Sequence, residues 1–76
     1  MPIATERPDL IASFEDPRVT RVATAPFDCG LKLGVAVELI EADGTKKRFV
    51  ERSDGDLAWA LGVLRKQVAE TRIDNG

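Results

Sequence analysis

The strongest constraint on this chain is the stretch from Leu31 to Arg52, LKLGVAVELIEADGTKKRFVER, in which two runs of alternating residues flank Ala42-Asp43-Gly44. Leu31, Leu33, Val35, Val37 and Leu39 put an apolar side chain at every odd position of the first run, while Lys32 and Glu38 fall at even ones. A period of two is that of a strand with one buried face. Parity then selects the turn. A two-residue turn at Asp43-Gly44 pairs odd positions with even ones and carries Lys46, Arg48 and Arg52 onto the apolar face, where unpaired charge is costly. A three-residue loop with Gly44 in the left-handed conformation pairs odd with odd. That loop sets Val37 against Phe49 on the core side and Glu38 against Arg48 on the wet side.

The wet face of the hairpin therefore carries Glu38, Lys46, Arg48 and Arg52, with Ile40 and Val50 among them. Two readings stand. The face is solvated, with cross-strand ion pairs contributing roughly 0.2–1 kcal/mol each, or it is a basic docking patch for a phosphate or an acidic partner. Gly34 inside the run points to a bulge or a close backbone approach.

Ahead of the hairpin, Met1–Arg7 reads as a flexible arm interrupted by Pro2, and residues 8–76 as one small domain. Pro8–Glu15, PDLIASFE, suits a short helix that aligns Leu10, Ile11 and Phe14 and stops at Pro17. A helix this short forms only by laying those residues on something apolar. Arg18–Ala25, RVTRVATA, is rich in β-branched residues and reads as an edge strand, with Thr20, Val22 and Thr24 on one face and Val19, Arg21 and Ala23 on the other. Pro26–Gly30 then turns the chain.

Beyond the hairpin, Ser53-Asp54-Gly55-Asp56 opens a helix, with Ser53 as its cap and two aspartates at the positive end of its dipole. The helix is predicted to run to about Arg72 and to end in Asp74-Asn75-Gly76. Its stripe of Leu57, Ala60, Leu61, Leu64 and Val68 covers the odd face of the hairpin. At about 100° per residue, Trp59 and Val63 fall on the opposite side beside Lys66 and Glu70. Either the N-terminal helix folds over Trp59 and seals it with Leu10 or Phe14, or the indole is an exposed anchor for a protein partner or a second copy.

The resulting class is α+β: a short N-terminal helix, a three-stranded antiparallel sheet and a long C-terminal helix on one face, in the order α-β-β-β-α. That order resembles the double-stranded-RNA-binding domain in length and sequence of elements. The likeness is one of topology: the family meets phosphates with lysines at the start of its second helix, where this chain has Ser53, Asp54, Gly55 and Asp56.

Function is bounded mainly by what the composition lacks. A chain of 76 residues with no histidine lacks the commonest general base and the commonest metal ligand, and no phosphate loop or metal-ligand spacing occurs. Cys29 as a nucleophile has no histidine to activate it and an aspartate beside it. A carboxylate pair such as Asp54 and Asp56, which could act as acid and base or hold Mg²⁺, reads as helix-start residues. The expectation is a non-enzymatic protein-interaction module without cofactor or metal. A homodimer is within reach of a core this small. In size and composition the chain is similar to phage- and mobile-element-encoded inhibitors, which implies occlusion of a host protein complex. The candidate partner-binding residues are Trp59, Val63 and Lys66 on the helix, Lys46, Arg48 and Arg52 on the hairpin, and Arg18 and Arg21 on the first strand. The alternative is a small nucleic-acid-binding module using Lys46, Lys47, Arg48 and Arg52, against which a net charge of -2 weighs. A single cysteine and a start without an apolar leader segment point to the cytoplasm and away from a membrane.

Overall fold

The computed structural model describes residues 4–73. Four strands, not three, form one antiparallel meander: β1 (Thr5–Glu6), β2 (Val19–Phe27), β3 (Lys32–Ile40) and β4 (Lys46–Ser53), in the spatial order β1-β2-β3-β4. A 3-10 helix, Pro8–Phe14, lies between β1 and β2, and α1 (Leu57–Ile73) follows β4. The predicted arm thus contributes strand β1, while Met1–Ile3 and the predicted helix end at Asp74–Gly76 lie outside the described residues.

The hairpin has the register that parity required. Val37 pairs with Phe49 and Glu38 with Arg48, and Glu41 N–H donates to Thr45 O at 2.8 Å across the Ala42-Asp43-Gly44 loop. Gly44 has φ 92°, a conformation that costs a residue with a Cβ. Val35, Val37 and Leu39 are fully buried, but Leu31 lies in the turn before β3 and is exposed. Gly34 marks no bulge, since it pairs regularly with Ala25 and Arg52.

The bulge is in β2. Between Val19 and Arg21 the register slips by one residue, so Val19 and Val22 point to the same buried side. The predicted assignment of Val19 to the other face from Val22, and of Thr20 to the same face, is overturned by that inserted residue. Strand β2 also runs two residues further than predicted, through Pro26 and Phe27, and is not an edge strand, because β1 pairs with Ala23 and Thr24. Pro26 sits beyond the reach of that two-residue strand, where its missing N–H leaves no ladder bond unmade.

The N-terminal helix is a 3-10 piece with a proline in its first turn, and left-handed Glu15 (φ 52°) ends it. Its Phe14 is buried and Leu10 and Ile11 pack on the same cluster, so the segment covers β2 and does not close over Trp59. Helix α1 covers β3 and β4. Its stripe of Ala60, Leu61, Leu64 and Val68 is buried, with Leu57 packed at the margin. Each large side chain there contributes roughly 1.5–3 kcal/mol by leaving water. The helix is capped by Asp56, whose Oδ1 accepts the Trp59 N–H at 3.0 Å. Ser53, the expected cap, is instead the last residue of β4, buried, with a hydroxyl that finds no hydrogen-bond partner among the described residues.

Candidate functional site

Among the described residues two layers leave two surfaces uncovered, on which this molecule can meet another: the outer side of α1 and the bare face of the sheet, bordered by Ala4. On α1 the side opposite the buried stripe carries Trp59, half exposed at 52%. Val63 and Lys66 follow it at helical spacing, the first partly buried and the second exposed. Trp59 borders a depression with Arg52, Ser53, Asp54 and Asp56, at the junction of β4 and the helix. The sequence left open whether the N-terminal helix seals this indole; Leu10 and Phe14 are engaged in the core, so it is unsealed.

The bare face of the sheet is built from positions that alternate with the core. The bulge turns Arg21 and Ala23 outward beside Glu38 and Ala36 of β3 and Arg48 and Val50 of β4. Across one end runs a ladder of charge. Both Glu6 carboxylate oxygens accept the Arg21 Nε at 2.9 Å, and Arg21 Nη1 reaches Glu38 Oε2 at 3.5 Å. The guanidinium bonds hold the Glu6 carboxyl below the usual carboxylate range. Arg48 stands opposite Glu38 and makes no ion pair among the described residues. Next to the ladder a shallow trough of about 190 Å³ has Ala23, Ala25, Gly34 and Ala36 as its floor and Val50, 50% exposed, as its side.

The residues named from sequence divide accordingly. Trp59, Val63 and Lys66 share the helix face, and Arg52 joins Trp59 at its depression. Lys46, Arg48 and Arg21 gather around a second depression with Glu38 and Lys47. Arg18 belongs to neither group, because it is folded inward with its side chain 16% exposed. It bonds to Asp16, whose side chain is 1% exposed, to Glu41 Oε1 at 3.0 Å and to the Val68 carbonyl of α1 at 3.1 Å. Lys32, which the sequence left on the wet face without a role, pairs with Asp54 at 2.8 Å and holds that carboxyl below its ordinary value.

What the sequence reading missed is the floor of the bare face. Its signal was present, since Gly34, Ala36, Ile40 and Val50 make the even positions of the hairpin largely apolar too. A sheet face open to water ordinarily carries polar side chains. Neither a family model, nor a curated protein, nor a solved structure matches this chain. Among the described residues no helix is long and apolar enough to cross a membrane, and no three His, Cys, Asp or Glu side chains stand together as metal ligands.

Proposed function

We propose that the protein is a non-enzymatic binding module that docks on a protein partner through the outer side of α1, with Trp59 as anchor. The observation that carries this reading is the half-exposed indole on a helix whose buried stripe is complete without it. Tryptophan concentrates binding free energy at interfaces, and burying a free indole is a gain that solvent exposure forgoes. The finer reading, occlusion of a host complex in a reducing cytoplasm, draws on the composition, which includes a single cysteine, Cys29, free and exposed.

The test is affinity capture from lysate of the native cells with wild-type protein and with Trp59→Ala. Truncating an anchor weakens a partner by about 2 kcal/mol or more, roughly thirtyfold. Retention of the wild-type partner by Trp59→Ala, together with a lowered melting temperature, would make Trp59 a stability residue and end the proposal.

A second reading, nucleic-acid binding, draws on the gathering of Lys46, Lys47, Arg48 and Arg21 around one depression, although Glu38 lines it as well. Filter binding to duplex and single-stranded DNA and RNA at low salt tests it, because such binding falls steeply with salt.

A further inference from the structure

We propose that the open edge of β4 takes up an extended, acidic segment of a partner protein as a fifth strand of the sheet. The sheet ends on two strands of unequal length: β1 has two residues and β4, Lys46–Ser53, has eight. Hydrogen bonds fix which way the backbone of β4 points. Thr45 O accepts the Glu41 N–H at 2.8 Å, so the ladder to β3 is made at Thr45 and at every second residue after it, Lys47, Phe49, Glu51 and Ser53. Lys46, Arg48, Val50 and Arg52 then turn their N–H and C=O groups away from β3. Two further bonds agree with this. The Ile40 N–H, opposite Lys46, points the other way and donates to Arg18 O at 2.9 Å, and the Arg52 N–H is met off the ladder by the Glu51 carboxylate at 3.0 Å.

Among the described residues no strand pairs with that side of β4. Such an edge is a template for another strand, and folded proteins commonly close it with a bulge, a proline or a short length. β4 has none of the three: its register with β3 runs without a slip from Ser53 opposite Leu33 to Lys46 opposite Ile40, and no proline interrupts it. What it carries is charge. Lys46, Arg48 and Arg52 stand exposed on the bare-face side of the strand, around Val50, which is half exposed. Glu38, the carboxylate opposite Arg48, is already engaged by Arg21 at 3.5 Å.

The charge selects the occupant. Every two-fold register between two β4 edges that pairs three or more of the outward residues sets cation against cation on this side: Arg48 against its own counterpart, Lys46 against Arg52, or Arg48 against Arg52. An incoming strand with carboxylates at alternate positions meets Lys46, Arg48 and Arg52 favourably, and an apolar residue among them covers Val50. Backbone hydrogen bonds supply the attachment, and the alternate side chains supply the choice of sequence. The helix surface with Trp59 takes no part, so docking at the edge and docking on α1 stand or fall separately.

The probe is a capped seven-residue peptide with glutamate at positions one, five and seven, isoleucine at position three and threonine between them. In antiparallel register its glutamates fall on Arg52, Arg48 and Lys46 and its isoleucine on Val50. Proton–nitrogen correlation NMR of the full chain, with peptide added to about 5 mM, is expected to show the Lys46, Arg48 and Val50 amides shifting and a dissociation constant of roughly 0.1–1 mM, weak because ordering a free chain offsets most of the gain. Hydrogen exchange at those amides is expected to slow on binding. N-methylation at the odd positions of the peptide, whose N–H groups face β4, is expected to abolish binding, and at the even positions to leave it within about threefold. Arg48→Glu is expected to weaken binding about tenfold, and Trp59→Ala to leave it unchanged. Absence of any shift at the highest peptide concentration would overturn the proposal, and so would equal binding by the two methylated peptides, equal binding by a peptide with lysine in place of glutamate, or loss of binding in Trp59→Ala. A short DNA single strand that binds at these amides more tightly than the peptide would overturn it in favour of nucleic acid. Protection of the same amides that rises with the concentration of the protein alone would overturn it in favour of a second copy.

Discussion

Replacing Asp16 by alanine should remove a buried anchor of this fold. The Asp16 carboxylate, 1% exposed, accepts the Arg18 backbone N–H at 2.9 Å, its Nε at 3.1 Å and its Nη2 at 2.8 Å. Those bonds aim a guanidinium that reaches Glu41 at the end of the hairpin and the Val68 carbonyl on α1, so a single side chain joins the start of β2 to both other parts of the molecule. Removing one member of a buried ion pair costs about 3–5 kcal/mol, because the other is left desolvated. Glu41 stays within reach of Arg18, which places the expected loss near the lower figure, about 3 kcal/mol. At about 0.05–0.15 kcal/mol per residue, a chain of this length has roughly 4–11 kcal/mol in all. The variant should therefore melt about 12–24 °C below wild type, as followed by far-ultraviolet circular dichroism and by urea titration. Asp16→Ala/Arg18→Met, which removes both charges and keeps an apolar stem over α1, should recover part of the loss. A single variant within about 1 kcal/mol of wild type, or a double variant no better than the single one, would refute the assignment of a buried hub.

Other consequences can be checked on the same protein. Ser53→Ala removes a buried hydroxyl without a partner among the described residues and should leave stability unchanged or raise it by up to about 1 kcal/mol, measured by urea denaturation; a loss larger than that would mean the hydroxyl is satisfied in solution. Asp56→Ala takes away the helix cap and should cost about 1 kcal/mol, whereas on the same scale a cap at Ser53 would make Asp56→Ala neutral. In acid, the carboxyls of Glu6, Asp9, Asp43 and Asp54 all sit below their ordinary values, held by Arg21, Arg7, the Thr45 backbone N–H and Lys32 respectively. Because the folded values are depressed, the associated stability is complete above the unfolded pKa values and is lost as pH falls through the folded ones. Carbon-detected titration should place all four midpoints below those of unstructured peptides, and four ordinary midpoints would remove the ion pairs from the account.

How much of this was legible in the sequence depended on whether a period or a long-range contact carried it. The hairpin register and the buried stripe of α1 were readable because each repeats over several residues, and a one-residue error in either would have buried Lys46 or exposed Leu64. Strand β1 has two residues and no period, so nothing distinguishes Thr5–Glu6 from an arm until Ala23 and Thr24 are placed beside it. The β2 bulge defeats alternation by design, since one inserted residue exchanges the faces on either side of it. Arg18 looked like an edge charge because its partners Glu41 and Val68 are distant along the chain. The helix start was misassigned between two residues of equal capping propensity, and the choice fell to Asp56 because β4 continues through Ser53.

Trp59 is the only tryptophan in the chain, so its fluorescence reports on one place without a label. In the free protein the emission should resemble that of a solvated indole and be readily quenched by acrylamide, in keeping with its 52% exposure. On adding the partner captured from lysate, or the purified complex itself, the emission should shift to shorter wavelength and the quenching should fall several-fold as the helix face is covered. An emission and a quenching constant that do not change when the partner is bound would contradict docking through this face.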